Sequence, residues 1–438
     1  MTSDITIPFH QYILDEAANI NVDGNQPLLP LRKQGLDRFR QLGLPDQRTE
    51  AWRNTNIQRF LKESFSLKTS QNGVTSEQIQ AGNIPGLDAY QVVLVNGHLQ
   101  PALSTLPTNT NIIIGRLSEA TANPAFQSRF DQHPHLQDQH FAAINTALFA
   151  DGLFIEVPAK ATLDKPLHVL HVYTAEHHAF IQPRHLFVVH PQGAITIIES
   201  TLGLHPNAVT FVNSVSEVYV ENNAECWHYN IQSAALNSRH ITHTAAAQKA
   251  DSRYHHYNFT LPHASLVRNN LSVALNGSNT ETNMQGLYLA TNNQHVDNHT
   301  FVDHLVPHCN SNELYKGVLL DNANGVFTGK IHVHRDAQKT NAFQQNNNLL
   351  LSTKANINSQ PQLEIYADDV KCSHGFTVGQ FSEESLFYLR ARGIGEHAAK
   401  TLLVNAFAHD ITNQVDIPAL QQYLTDKIGR YVTGVLNN

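Results

Sequence analysis

Two side chains able to hold soft metals, Cys372 and His374, stand two residues apart in Asp368-Asp369-Val370-Lys371-Cys372-Ser373-His374-Gly375. A thiolate and a neutral imidazole together suit iron or sulfide, and the neighbouring Lys371 favours the thiolate. A second pair, His332 and His334, is also two residues apart, in a run with strand character. Strand alternation puts both imidazoles on one side, where they can share an ion. Upstream, His295, Asp297, His299, Asp303, His304, His308 and Cys309 crowd one short stretch. Their residue types suit zinc or iron, but their spacing matches no closed zinc site. With 27 histidines in 438 residues, many imidazoles must be ordinary polar side chains. The three cysteines, Cys226, Cys309 and Cys372, form no CxxC pair. Such a set is a poor disulfide framework and fits a reducing cytoplasm. Cys226, beside Trp227 in a strand-like run, reads as a buried, inert thiol.

Other chemistries lack their parts. Gly325-Val-Phe-Thr-Gly329-Lys330 imitates a phosphate loop but is one residue short and has no hydroxyl after Lys330, so it reads as a strand turn without ATP. Gly393-Ile-Gly395-Glu-His-Ala398 follows a helix-like segment where a dinucleotide fold needs a strand, and reads as a helix–turn–helix corner. There is no Gly-x-Ser-x-Gly and no HExxH. The formal net charge is −8 with no Lys/Arg run, which argues against a nucleic-acid surface. No apolar stretch approaches the ~20 residues needed to cross a bilayer. Met1 to Tyr12 carries no secretory pattern, so the expected location is cytoplasmic.

The elements that must position these side chains change character along the chain. Residues 1–150 read as a mixed, largely helical region. Leu28, Leu31, Leu36 and Phe39 recur at helical spacings, and Val92–Val95 and Ile112–Ile114 look like short strands. Residues 151–375 read as many short strands separated by Asn- and Gly-rich turns. The turns include Asn207, Asn222-Asn223, Asn276-Gly277, Asn292-Asn293 and Asn322–Gly325. A sandwich, a large barrel or a β-solenoid would each dispose of so many strand edges, and no fixed period decides among them. Residues 376–438 return to helix, with Ser382 as an N-cap and Pro418 opening the last helix. Cys372 and His374 are expected outside the strand run, at its junction with these helices.

The segment Tyr366–Gln380, followed by Leu386–Arg390 and Arg392-Gly393-Ile394, resembles the signature of the SufB/SufD family. The intact Cys-Ser-His-Gly suits its SufD side. Tyr315-Lys316-Gly317, Val326–Lys330, Ala337–Gln344, Asn348–Ser352, Leu148–Gly152 and Arg48–Arg53 are similar to family positions too. The chain departs from the usual pattern at Phe376, where Ala is common, and at Asn341, often Asp. The resemblance implies a mainly β protein: a right-handed parallel β-helix core flanked by N- and C-terminal helical domains. It implies a scaffold subunit for iron–sulfur cluster assembly rather than an enzyme, with a homologous β-helix partner, SufB, and a separate ATPase, SufC. A nascent cluster would form transiently at the SufB interface, near Cys372 and His374, with His374 the better ligand. The isolated chain would hold no cofactor. His304, Cys309, His332 and His334 are weaker metal candidates.

The C-terminal helices, about Glu383 to Val432, are expected to dock SufC and to leave a self-sufficient solenoid if removed. The isolated chain could pair with itself through the surface meant for SufB. A rival from another class is a β-helix enzyme acting on polysaccharide, which would line one face with paired carboxylates.

Overall fold

The computed structural model describes residues 8–23, 26–71, 73–108, 110–174, 178–205, 209–233, 237–262 and 264–436. Asn207 lies outside them. Strand alternation is plain in Asn341–Leu350: Ala342, Gln344, Asn346 and Asn348 are buried while Phe343 and Gln345 are exposed. Strands with this pattern stack in parallel into two facing sheets. Among the described residues, the first sheet runs from His98–Leu99 and Tyr90–Val95 through Leu167–Tyr173 and every second later strand to Lys371–Gly379. The second runs from Ile113–Arg116 and Gly152–Val157 to Asn356–Ile365. Successive strands alternate between the sheets, so the chain winds as a β-solenoid of about eight turns with helices at both ends. Among the described residues, only the strands nearest the N-terminus pair antiparallel. Sheet pairing thus reaches outside residues 151–375 in both directions.

One corner explains why no fixed period shows in the sequence. Lys160, Gln192, Asn223, Asp251, Asn279, His308 and Lys339 all have positive φ, between 56° and 65°, and follow one another at intervals of 28 to 32 residues. The backbone N–H of Gln192 donates to Asn222, that of Asn223 to Ala250, and that of Asp251 to Ser278. Each acceptor immediately precedes the left-handed residue of the next coil, so the corner is a hydrogen-bonded column. Asn and Asp tolerate this conformation best. Asn222-Asn223 and Asn292-Asn293 are turns as expected, but Asn324-Gly325 opens the strand Asn324–Val333. The false phosphate loop therefore lies inside a strand rather than in a turn, with its backbone committed to sheet pairing on both sides.

The N-terminal helices Phe9–Asp23, Leu29–Leu42 and His140–Leu148 pack on the outer face of the second sheet. Phe39, Trp52 and Phe141 meet Phe211, Ile241 and Leu266 there. Two buried arginines fasten this contact. Arg184 binds Glu217 at 2.6 Å and Asp131 at 3.1 Å; Arg268 pairs with Asp297 and lies under the Trp52 ring, 3.9 Å from its centroid. Thr55 adds a hydroxyl to Asp297 and to His295. That gives the Arg48–Arg53 motif a physical role: it delivers Trp52 and Thr55 to a sheet-borne ion pair.

The C-terminal helices are Glu383–Ala391, Glu396–Thr412 and Pro418–Leu436. Ser382 accepts from the Ser385 N–H as an N-cap, and Gly393, at φ 84°, makes the expected corner. These helices are not a detachable appendage. Val404, Ala408, Ile411, Leu420, Leu424 and Ile428 cover Tyr229, Tyr257, Phe259, Leu287 and Val318 on the first sheet. Lys316 reaches out from that sheet to Phe407 O and Asp410. Removing the helices would uncover an apolar face, so the solenoid is not self-sufficient on that side.

Candidate functional site at the open end of the solenoid

Cys372 and His374 lie within a strand, Lys371–Gly379, and not in a connector beyond the last one. The strand was masked in the sequence by its small and polar residues, Ser373, Gly375 and Gly379. It pairs on one side only, with Cys372 opposite Ala342, His374 opposite Gln344, Phe376 opposite Asn346 and Val378 opposite Asn348. All four partners are buried inward-facing residues. Parallel register puts Cys372, His374, Phe376 and Val378 on the same, lumen-side face. No further coil covers them among the described residues, so His374, Phe376 and Val378 are exposed and Cys372 is half-buried.

His374 thus ends a column that runs down the lumen. In register beneath it lie Gln344, Glu313, Met284, His256 and His228. Gln344 Nε2 donates to Glu313 Oε2 at 2.7 Å. Burial pushes the Glu313 carboxyl up to about 7, against the lowering effect of hydrogen bonds from Thr300 and Gln344. Two strand spacings, about 10 Å, separate Glu313 from His374. Deeper still, Glu199 is gripped by His171 at 2.7 Å and His228 at 2.6 Å, which hold its carboxyl well below the usual range despite burial. The lumen is therefore polar along this line, which sequence alternation alone gives no means of telling from an outer face.

The thiols divide by burial. Cys226 is wholly enclosed and its thiol is pushed up to about 12. Cys309 is buried too, with Sγ against Gly277 O and Val306 O at 3.4 Å, and its thiol is raised by burial. Cys372 is also raised by burial, opposed by a backbone hydrogen bond at Ala342. Lys371 therefore does not win over desolvation, and the thiol rather than the thiolate prevails at neutral pH.

The crowded stretch from His295 to Cys309 does not converge on one centre: Asp297 holds His299 at 3.0 Å and shares Thr55 with His295, and the rest divides. His295–His304 is a strand, and alternation splits it between two faces. His304 turns into the lumen and meets Ser311 Oγ at 2.9 Å; Cys309 caps the next coil. Asp303 turns outward and meets His332 at 3.1 Å and His334 at 2.8 Å. His332 and His334 do share a face as expected, but their partner is Asp303, not His304 or Cys309.

Comparison with known proteins bears on this end directly. The family model described as the SUF system FeS cluster assembly SufBD core domain matches residues 171–407, and the SufBD protein N-terminal region matches residues 4–169. The chain belongs to the SufBD family. A SufBD family protein of Synechocystis is 33% identical over 93% of this chain and 92% of the relative. The iron–sulfur cluster assembly protein SufD of Escherichia coli is 31% identical over 92% of this chain and 93% of its own length. SufD of Bacillus subtilis is 26% identical over 67% of this chain and 68% of its own. The matched SufBD core contains the whole strand Lys371–Gly379, the helix Glu383–Ala391 and the first part of Glu396–Thr412, and ends before Pro418–Leu436. Among the described residues, no helix is long and apolar enough to cross a membrane.

Proposed function

We propose that this chain is a non-enzymatic scaffold subunit of the Suf system, acting in the cytoplasm with SufB and the ATPase SufC in building new iron–sulfur clusters. One observation carries the reading: a thiol and an imidazole, Cys372 and His374, stand on the lumen face of a strand that has no neighbour beyond it among the described residues. An unpaired strand is a template for another strand. Exposed Phe376 and Val378 beside it, and Phe343, Ile365 and Tyr366 at the same end, add apolar surface for a partner coil to cover. A homologous solenoid such as SufB would supply that coil; a second copy of this chain could do so when SufB is absent. Covering the end would enclose His374 and Cys372 between two subunits, with the nascent cluster as cargo rather than as a resident cofactor. A pair of ligands cannot satisfy a cluster, so the partner completes the set. His374 is the principal ligand, because the Cys372 thiol gives up its proton only once a metal or cation arrives.

The C-terminal helices, from Glu383 onward, serve the ATPase. Phe387, Tyr388 and Leu402 are large apolar side chains left exposed on the first two of these helices, on a surface not spent on the solenoid. The test is co-purification of the full chain with SufB and SufC, followed by anaerobic loading with iron and sulfide. His374→Ala should assemble the complex normally and yield far fewer clusters; Cys372→Ser should have the smaller effect. A His374→Ala complex that matures clusters at the wild-type rate would refute the assignment, and one that fails to assemble would make His374 structural. Phe387→Glu with Leu402→Asp should lose SufC in pull-down while keeping SufB. Retained SufC would overturn the docking surface.

A further inference from the structure

We infer that Asp303, His332, His334 and His135 form a site for a divalent metal ion of the zinc type, separate from the open end. Strand register carries the first three: Asp303 and His332 are direct neighbours on adjacent coils, and His334 follows two residues on along the same face. His334 Nε2 lies 2.8 Å and His332 Nδ1 3.1 Å from the same oxygen, Asp303 Oδ1. The fourth group comes from the N-terminal region. His135, on the turn Pro134–Leu136, brings Nε2 to 3.3 Å from Asp303 Oδ2.

His135 is held in place from behind. His133 Nδ1 accepts its backbone N–H at 3.4 Å, and His133 Nε2 is fixed on Ala246 O at 2.9 Å. His135 Nε2 is shielded from solvent, and its polar neighbour is Asp303, a carboxylate that already serves two imidazoles. Phe301, edge-on to His135 with centroids 4.6 Å apart, and Tyr366, 5.6 Å from His332, wall the site with aromatic surface. Lys330, the nearest cation on the strand, is occupied by Glu364 at 2.8 Å and does not repel an incoming ion. His334 remains partly exposed, which leaves an entry path.

The donor set and its dimensions suit a four-coordinate ion. Ligand bonds of about 2.0–2.2 Å place tetrahedral donors roughly 3.3–3.6 Å apart. The Asp303, His332 and His334 donors already lie within 4.8 Å of one another, so side-chain rotations that move them by no more than about 1.5 Å, with His135 swinging in to join them, reach these separations. Three neutral imidazoles and one carboxylate suit Zn2+ and, less selectively, Fe2+. The buried cluster of His171, His185 and Glu199 meets the same distance criterion but not the chemical one. His185 Nδ1 accepts the Leu153 N–H, so in the neutral ring Nε2 carries the proton and has no lone pair to give. The ion at Asp303 would pin the segment around His135 to two coils of the solenoid at once.

The experiment uses the full chain, stripped by chelator and titrated with Zn2+ alone against a competing chromophoric chelator, with Co2+ as a spectroscopic stand-in. The expected result is one tight site per chain, the absorption of four-coordinate cobalt, and proton release on binding. His332→Ala/His334→Ala should weaken that site by at least about 100-fold, and His135→Ala by about tenfold. Asp303→Asn, close in shape, should also lose it while circular dichroism stays native. Cys372→Ser/His374→Ala should leave it intact, which separates it from the cluster interface. The inference is overturned if the wild type holds no stoichiometric Zn2+, or if the double histidine variant binds it equally well. Wild-type affinity in His135→Ala would remove the N-terminal region from the site.

Discussion

Replacing Glu313 by Gln should make the protein more stable at pH 8 and leave it nearly unchanged at pH 4.5. The carboxyl is 4% exposed and its pKa rises to about 7 from an ordinary 4.5, with burial the largest cause. A carboxyl raised in the folded state favours folding in its protonated form. Its contribution is fully present below pH 4.5 and is lost as pH climbs through 7, because the folded chain holds a proton that the unfolded chain has released. From 4.5 to about 7, at about 1.4 kcal/mol for each tenfold change in proton affinity, the loss comes to about 3 kcal/mol. Gln344 already donates to Oε2, and a Gln at 313 keeps that acceptor without a titrating group. Urea unfolding at pH 4.5, 6 and 8, followed by tryptophan fluorescence, measures the difference. Wild type should weaken relative to Glu313→Gln across this interval, with the gap near 3 kcal/mol at pH 8. A gap that does not change with pH would refute the buried, late-titrating carboxyl.

Arg184→Met should lower the melting temperature sharply, because it leaves Glu217 buried without its cation while Asp131 keeps Arg38 at 2.7 Å, at a cost of about 3–5 kcal/mol; Arg184→Met/Glu217→Gln should recover part of that loss. An alkylating reagent at pH 8 should modify Cys372 first in the native chain and reach Cys226 only on unfolding, as peptide mapping by mass spectrometry would show; early labelling of Cys226 would contradict its burial. Gly286→Ala should destabilise by about 1–3 kcal/mol through overpacking, since a Cβ there would lie 2.2 Å from the Tyr315 ring. Gly375→Ala, with nothing within 4 Å, is the neutral control in the same thermal melts.

Strands such as Leu167–Tyr173 and Lys330–Val333 were legible because their apolar residues recur every second position or run continuously. The helical ends were legible from Ser382, Pro418 and the leucine spacings. A solenoid could not be chosen over a sandwich because its coils vary in length by several residues and its lumen accepts His228, Glu313 and Gln344 in places where alternation expects apolar side chains. The pair Cys372 and His374 was visible as chemistry, but its place in an edge strand was not, since Ser373 and Gly375 carry no strand signal. The mutual approach of Asp303 and His135 depends on docking between residues far apart in the chain, which no local pattern encodes. What could have hinted at it is the outward phase of Asp303 and His332, each an odd step from the inward His304 and Val333.

The column of left-handed corner residues also sets a grammar for how such a chain can change its length. The corner N–H groups of Lys160, Gln192, Asn223, Asp251, His308 and Lys339 are each spoken for by the coil above, so an insertion of five or ten residues within a strand would throw every later coil out of step. Whole coils of about thirty residues can be gained or lost instead, as rungs on a ladder, with the small slack of 28 to 32 residues absorbed between corners. Relatives of unequal length should therefore differ by integral rungs or by loops that bulge away from the two sheets. Because the Arg184 clamp sits near one end and the unpaired strand at the other, each added rung would move the cluster-facing end away from that clamp by one strand spacing, about 4.8 Å.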